Sequence, residues 1–507
     1  MPRRIETAAG LQVMRMLRRR PVFIILWLAV AALLLGACAA EHREDRAPTL
    51  GSVTNSGAAP GEAADPDPET TEELIAALNP HVVTAHNRLG MLIFGQLVSQ
   101  TRPAGGADAE TDDESVFISP ISIALALGMA YNGAAGETET AMAKALQLEG
   151  LLQEGLLQEA LLQEALLQEG PRQEGPRQEG LLQDSTTTAS PDADGTRLTR
   201  TDINASNLAL LEALTGTGAR LDIATSIWYR QEFALNPAFV EETQRYYRAR
   251  ISALDFAAPE SVDVINRWVS DATRGLIPAV VDQLDEDQIM LLLNAVYFKG
   301  DWTAPFDPQQ TRDMPFYRPS GDSRPVPMMY QDGRFGYFED GFQAVRLPYG
   351  DDERLAMYVF LPPRGADFYE FSASLDYETL ADAFSRFVPG HGEVLLPRMD
   401  VSYKTRLNAA LQELGMGIAF DPGRADFSRL HPAGSRNIYI SDVIHQSVLK
   451  VDEEGTEAAA VTSVDFRVTS LPVYDFRFQA DRPFVVVIRD DATGALLFVG
   501  AVVDPGV

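Results

Sequence analysis

The sequence predicts an α+β fold built on large, mainly antiparallel sheets. Three observations carry this. Long stretches rich in β-branched and aromatic residues recur along the chain. Helical stretches lie between them without the regular strand–helix alternation of parallel sheets. The last stretch is a hairpin with DDATG as its turn. The strand stretches are LDIATSIWYRQ (221 to 231), QIMLLLNAVYFKGDW (288 to 302), LAMYVFLP (355 to 362), GEVLLPRM (392 to 399), NIYISDVIHQSVLKVDEEG (437 to 455) and PFVVVIRDDATGALLFVGAVVDP (483 to 505). Helical spacing of apolar residues marks 236 to 248, 259 to 274, 377 to 387 and 405 to 416. TEELIAALNPHVVTAHNRLGMLIFGQLVSQ (71 to 100) has the same spacing and opens the folded body with one or two helices.

Ahead of that body the texture differs. Arg15, Arg18, Arg19 and Arg20 precede the apolar run VFIILWLAVAALLL (22 to 35), which ends in LGAC. A basic region, a short apolar run and small residues at a cleavage point make a secretory signal over residues 1–37. LGAC resembles a bacterial lipobox, which makes Cys38 the lipidated first residue of the mature chain. Residues 38–71, mostly Ala, Gly, Pro, Asp and Glu, read as an acidic flexible tether. The folded domain then runs from 72 to 507, interrupted at 149–200. There the repeats LLQEG, LLQEA and PRQEG advance five residues at a time, about 500° of helix, so their leucines share no face. This low-complexity pentapeptide insertion reads as a surface loop, which costs little stability.

Charge and chemistry narrow the function. A net charge of −30 excludes nucleic-acid binding through a general electrostatic footprint. Cys38 is the only cysteine, so the chain has no internal disulfide. The six histidines show no metal-ligand spacing, and neither a G-x-S-x-G elbow nor a phosphate-binding loop occurs. These patterns suggest neither an enzyme nor a cofactor or metal site.

One segment is ambiguous. In EEGTEAAAVTSVDFRVTS (453 to 470), Thr456, Ala458, Ala460, Thr462, Val464, Phe466 and Val468 fall on one face, small first and then apolar. Glu457, Asp465 and Arg467 fall on the other. The pattern fits a permanent strand, or a loop able to become one.

Several motifs, in order, resemble the serpins over residues 80 to 505: SVFISPISIALALGMAYNGAAGETETAMAKAL (115 to 146), VINRWVSDATRGLIPAVV (264 to 281), LLNAVYFKGDW, PMMYQDGRFGYF, VRLPYGDDERLAMYVFLP, LGMGIAFDPGRADFSRL and FQADRPFVVVI. The resemblance implies about three antiparallel sheets, eight to nine helices and an exposed reactive loop. It implies a serine protease inhibitor acting as a suicide substrate. The protease cleaves the loop, the loop inserts into the main sheet, and the acyl-enzyme is trapped. A non-inhibitory serpin, serving as a binding or folding-assistance protein, is the alternative.

The resemblance also assigns residues. Glu453, Glu454, Gly455, Thr456, Glu457, Ala458, Ala459 and Ala460 match the hinge. Ser119, Ser122, Asn294 and His445 match the polar cluster under the centre of the sheet, which makes His445 structural rather than a catalytic base. Trp302, Arg398 and Glu453 match the top of the sheet, the last two as an ion pair. Counting seventeen residues with Glu453 as the first reaches Thr469, so the reactive bond is Thr469–Ser470. Arg467–Val468 is second. Leu471 is disfavoured by Pro472, and a count back from Pro483 instead reaches the neighbourhood of Pro472. Thr469 suits an elastase-like or subtilisin-like protease, Arg467 a trypsin-like one. Papain-like cysteine proteases are secondary targets. The protein is expected to be a secreted monomer, lipid-anchored to a bacterial membrane on its periplasmic or outer surface.

Overall fold

The computed structural model describes residues 68–102, 114–152, 197–215, 219–456 and 473–507. Ten α-helices and fourteen strands lie among them, and eight of those helices are eight residues or longer.

Two helices open the body, α1 (Pro68–Ala77) and α2 (Pro80–Thr101). The helix thus begins four residues inside the stretch 38–71 read as tether. A proline at the first helical position is preorganised for the turn, which lets a helix start there. Asn79 caps α2, its side-chain oxygen accepting from the His81 N–H at 2.9 Å. Strand β1 (Val116–Ile118) leads into α3 (Pro120–Gly133), capped by Ser119 and started by Pro120. Every residue of α3 is buried. A helix apolar on all sides belongs in the interior.

Helix α4 (Gly136–Ala145) follows, and then the insertion. Its repeats lie outside the described residues, but its ends do not. Leu152 bridges Leu198, the Leu198 N–H bonds the Leu151 carbonyl at 2.6 Å, and both bridging leucines are buried. The ends are therefore part of the folded body, and α5 (Arg200–Thr215) starts directly at the boundary.

The next elements are β2 (Arg220–Arg230), α6 (Pro237–Tyr247), β3 (Arg250–Leu254), α7 (Glu260–Ala272) and β4 (Met290–Lys299). Strands β5 (Arg312–Tyr317), β6 (Ser323–Glu339), β7 (Gln343–Tyr349) and β8 (Leu355–Leu361) come next. Helices α8 (Phe368–Ser374) and α9 (Tyr377–Ser385) precede β9 (Val388–Pro397) and β10 (Met399–Arg406). Helix α10 (Asn408–Glu413) leads to β11 (Ile440–Val451). After the loop come β12 (Phe476–Gln479), β13 (Phe484–Asp490) and β14 (Leu496–Val502).

The helix expected at 405–416 shrinks to α10. Lys404, Thr405 and Arg406 instead pair with β11, and the Leu407 N–H bonds the Val443 carbonyl at 2.8 Å. Alternating burial along β10 outweighs the helical spacing that follows it.

The strands form two hydrogen-bonded sheets rather than three. One runs β10-β11-β4-β2-β3. The other runs β1-β14-β13-β8-β7-β6-β9-β12, with β5 on β6. The seventeen-residue β6 spans what would otherwise be two sheets, pairing β5 and β9 with its first part and β7 with its last. Pairing is mainly antiparallel, but β2–β3, β4–β11 and β9–β12 are parallel.

The five-stranded sheet is covered on both faces. Helix α3 lies against β2 and β4 from the main core. On the opposite face Ile265 and Val269 of α7 pack with Leu291, Leu293, Ala295, Ile444 and Val448.

Candidate functional site: the seam between β4 and β11

The two parallel strands β4 and β11 meet along a seam at the centre of the five-stranded sheet. Their register pairs His445 with Asn294. Ser119 and Ser122, at the start of α3, reach the same point from below, so all four cluster residues come together. The His445 Nε2 accepts from the Ser119 N–H at 3.2 Å, and its Nδ1 lies 2.8 Å from Asn294 Oδ1. Nε2 is an acceptor, so the proton sits on Nδ1 and is donated to Asn294. Asn294 Oδ1 also accepts from Ser122 Oγ at 2.6 Å. Asn294 Nδ2 donates to the Ser122 carbonyl at 3.1 Å and to Thr225 Oγ1 at 3.2 Å. Every polar atom of the Asn294 carboxamide is satisfied.

All four residues are buried. Burial pushes the His445 imidazole down to about 3, so it is neutral at ordinary pH. Protonation would set a second donor against the Ser119 N–H. The neutral ring ties Asn294 of β4 and the start of α3 to β11.

At the upper end of the seam the chain leaving β11 turns back. Glu453 is buried and takes a bidentate hydrogen bond from Arg398: Nε to Oε2 at 2.9 Å and Nη2 to Oε1 at 2.7 Å. Thr311 Oγ1 also donates to Oε1. Burial pushes the Glu453 carboxyl up, but the Arg398 and Thr311 hydrogen bonds outweigh it and hold it below its ordinary range. Trp302 stacks on Tyr349 with ring centres 4.4 Å apart, and its Nε1 donates to the Asp452 carbonyl at 3.0 Å.

Beyond Glu453 the described part of the hinge, residues 454–456, lies in the sheet end. The Phe306 N–H bonds the Glu453 carbonyl at 2.7 Å, and the Trp302 N–H bonds that of Glu454 at 2.9 Å. Gly455 bridges Asp301 in antiparallel fashion. The Asp452 N–H bonds the Gly455 carbonyl at 2.9 Å, and the Thr456 N–H bonds that of Gly300 at 2.6 Å. Thr456 is fully buried, its hydroxyl 3.2 Å from that of Tyr349. Gly455 has φ of 151°, and a Cβ there would fall 2.2 Å from the Gly300 carbonyl oxygen. Only glycine fits.

Glu457, Ala458, Ala459, Ala460, Arg467, Val468, Thr469, Ser470 and Cys38 lie outside the described residues. Sequence reasoning missed Thr225, Thr311, Tyr349 and Asp452. Thr225 carried a signal, a polar residue inside the apolar stretch of β2. The others gave none, because their roles depend on which distant segments meet. Among the described residues no group of three or more His, Cys, Asp or Glu side chains is placed to hold a metal ion.

The seam can be compared with known proteins. The family model described as "Serpin (serine protease inhibitor)" matches residues 104–505. Antithrombin-III of Mus musculus is 29% identical over 405 residues, covering 79% of this chain and 78% of that protein. Leukocyte elastase inhibitor of Xenopus laevis is 29% identical over 402 residues, covering 77% and 93%. Among solved structures, the native state of the thermophilic serpin tengpin superposes with a TM-score of 0.67 at 26% identity, covering 84% of this chain and 95% of tengpin. With the family model spanning most of its length, the chain belongs to the serpins, the serine protease inhibitor family.

Proposed function

We propose that the protein is a suicide inhibitor of serine proteases whose cleaved loop enters the β4–β11 seam as a new strand. The register of the hinge is the observation that carries this reading. On the β4 side Gly455 faces Asp301, and on the β11 side it closes a turn with Asp452. A chain continuing from Gly455 between the two strands runs antiparallel to both. Seven residues on, Thr462 falls opposite Asn294 by one count and His445 by the other. Those two residues are already direct partners. Insertion in this register requires no sliding of β4 along β11, only lateral parting by one strand spacing, about 4.8 Å.

Three side-chain matches support the register. Glu457 would come between Lys299 and Lys450, one on each neighbouring strand. Thr462 would bring a hydroxyl to Asn294 and His445 as their mutual hydrogen bond is lost. Ala458 would lie between Phe298 and Leu449, both fully buried, where a small apolar side chain is needed.

The reactive bond in this proposal is Thr469–Ser470, with an elastase-like or subtilisin-like target. The frog relative's name, leukocyte elastase inhibitor, is in keeping with that class. Arg467–Val468 and a trypsin-like target are second. In the same proposal Cys38 anchors the protein, a monomer, to a bacterial membrane through lipid.

The test is thermal. Cleaving the loop of the intact protein with elastase and heating it should raise the melting temperature well above that of the uncut form. A cut protein that melts no higher has not gained a strand, which favours the non-inhibitory reading.

A further inference from the structure

We infer a binding site for a small organic anion in a cleft on the nine-stranded sheet, remote from the β4–β11 seam. The cleft has a volume of about 520 Å³. That is within the usual size of small-molecule sites. It is formed where β7 begins, β8 ends and β12 crosses. Phe342, Leu361 and Pro363 contribute apolar walls, and Arg364, Arg477 and Arg482 contribute the polar groups.

Three guanidinium groups converging on one cleft is unusual in a chain of net charge −30. One carboxylate, Glu339, lines it with them. The arginines differ in how far they are committed. Arg482 forms the floor, with Nε and Nη2 donating to the Pro362 carbonyl at 3.0 and 2.7 Å and Nη1 to Asp481 at 3.0 Å. Arg364 meets the buried Asp481 through Nη2 alone. Arg477 meets Glu393 through Nε alone at 2.6 Å. Each rim arginine therefore keeps donors for a ligand. Their side chains are 60% and 62% exposed, so both are accessible. Burial, reinforced by Arg364, lowers the proton affinity of Arg482 against the pull of Asp481. An anion in the cleft would relieve that opposition.

Chemistry then defines the ligand class: a carboxylate, sulfonate or phosphate group for the arginine fork, on an apolar body for the walls. A bound molecule would also tie β12 to β7 and β8. Among the described residues strand β12 is a four-residue edge strand paired only with β9, and it is the next strand after β11. The site thus grips the loop's distal anchor without touching the seam.

The probe is 2-naphthalenesulfonate, titrated into the intact protein by calorimetry with no protease present. This keeps the outcome separate from the inhibitor proposal. The expected result is saturable binding of one molecule per chain, weakened at least tenfold by Arg364→Ala or Arg477→Ala and retained in part by Arg364→Lys. Neutral 2-naphthol should bind no more weakly to the variants than to the parent. Because both arginines are exposed, the variants should melt with the parent. If an alanine variant does not, the lysine variants at both positions serve in its place. Absence of saturable binding, or equal affinity in the variants, overturns the assignment.

Discussion

The alternation of the loop makes a prediction sharper than loss of function on mutation, because neighbouring positions should behave oppositely. In the proposed register Ala458 enters between Phe298 and Leu449, both without solvent exposure and both part of the main core. Ala458→Glu would carry a carboxylate into that contact with no cation on its face. Leaving a buried charge uncompensated costs about 3–5 kcal/mol. A third of that, felt while the strand enters, slows insertion about tenfold. A protease deacylates during such a delay and escapes, so Ala458→Glu should turn inhibitor into substrate. The opposite-parity pair is the control. In the same proposed register Glu457 would face the side occupied by Lys299 and Lys450, so Glu457→Gln would remove only screened attraction, about 0.2–1 kcal/mol, and should leave inhibition nearly intact. The assay is the number of inhibitor molecules consumed per protease molecule inactivated, together with the fraction of covalent complex on a denaturing gel. Equal performance of Ala458→Glu and Glu457→Gln would refute the assigned register.

Further predictions follow from the seam and its upper end. Glu453→Gln should lower stability by about 1–2 kcal/mol, less than a fully buried charged pair because Arg398 is 41% exposed; urea denaturation checks it. The Glu453 carboxyl is held below its ordinary range, so this contribution is present above that range and is lost as pH falls through it. Gly455→Ala cannot keep the hinge where it is, because its Cβ would meet the Gly300 carbonyl oxygen. It should release Thr456 from Tyr349 and alter the fluorescence of Trp302, whose indole bonds Asp452. Two buried imidazoles shape acid stability, with burial pushing His86 down to about 4 and His445 to about 3. In the unfolded chain both take up protons near pH 6.5. Stability is therefore full above that pH and falls as pH drops toward 4, by about 1.4 kcal/mol per pH unit per histidine. Unfolding followed by calorimetry at pH 5 should show proton uptake that His86→Leu reduces by about one. Finally, Cys38→Ser should abolish membrane association and release the protein into the soluble fraction.

The sequence was most readable where burial is uniform. The buried β4 and the β13–β14 hairpin follow directly from composition and turn chemistry, whereas the fully buried α3 entered only through a family motif. Strands β3, β5 and β12 were not legible, since they are four to six residues long and carry no sustained alternation. Strand β10 alternates well, but adjoining helical spacing obscured its end. The four residues of the central cluster were identified through family motifs, and their convergence depends on a parallel register between segments some 150 residues apart, which no local pattern encodes. Tyr349 illustrates the limit. Nothing around it distinguishes a core tyrosine, yet its hydroxyl meets Thr456 and its ring supports Trp302. Gly455 falls in the hinge by resemblance, and its surroundings add a steric reason for glycine: the backbone of Gly300 and Asp301 leaves no room for a side chain.

In the proposed mechanism a protease cuts the loop and is trapped as the loop enters the seam. Incubating the protein separately with pancreatic elastase, subtilisin and trypsin, then combining a denaturing gel with mass spectrometry of the released peptide, tests it most directly. Elastase or subtilisin should give a band at the summed mass that survives denaturant, with a released fragment beginning at Ser470. A stable band with a fragment beginning at Val468 would keep the trap and reassign the bond to Arg467. Clean cleavage by all three proteases, with no stable band and no gain in melting temperature, would contradict it.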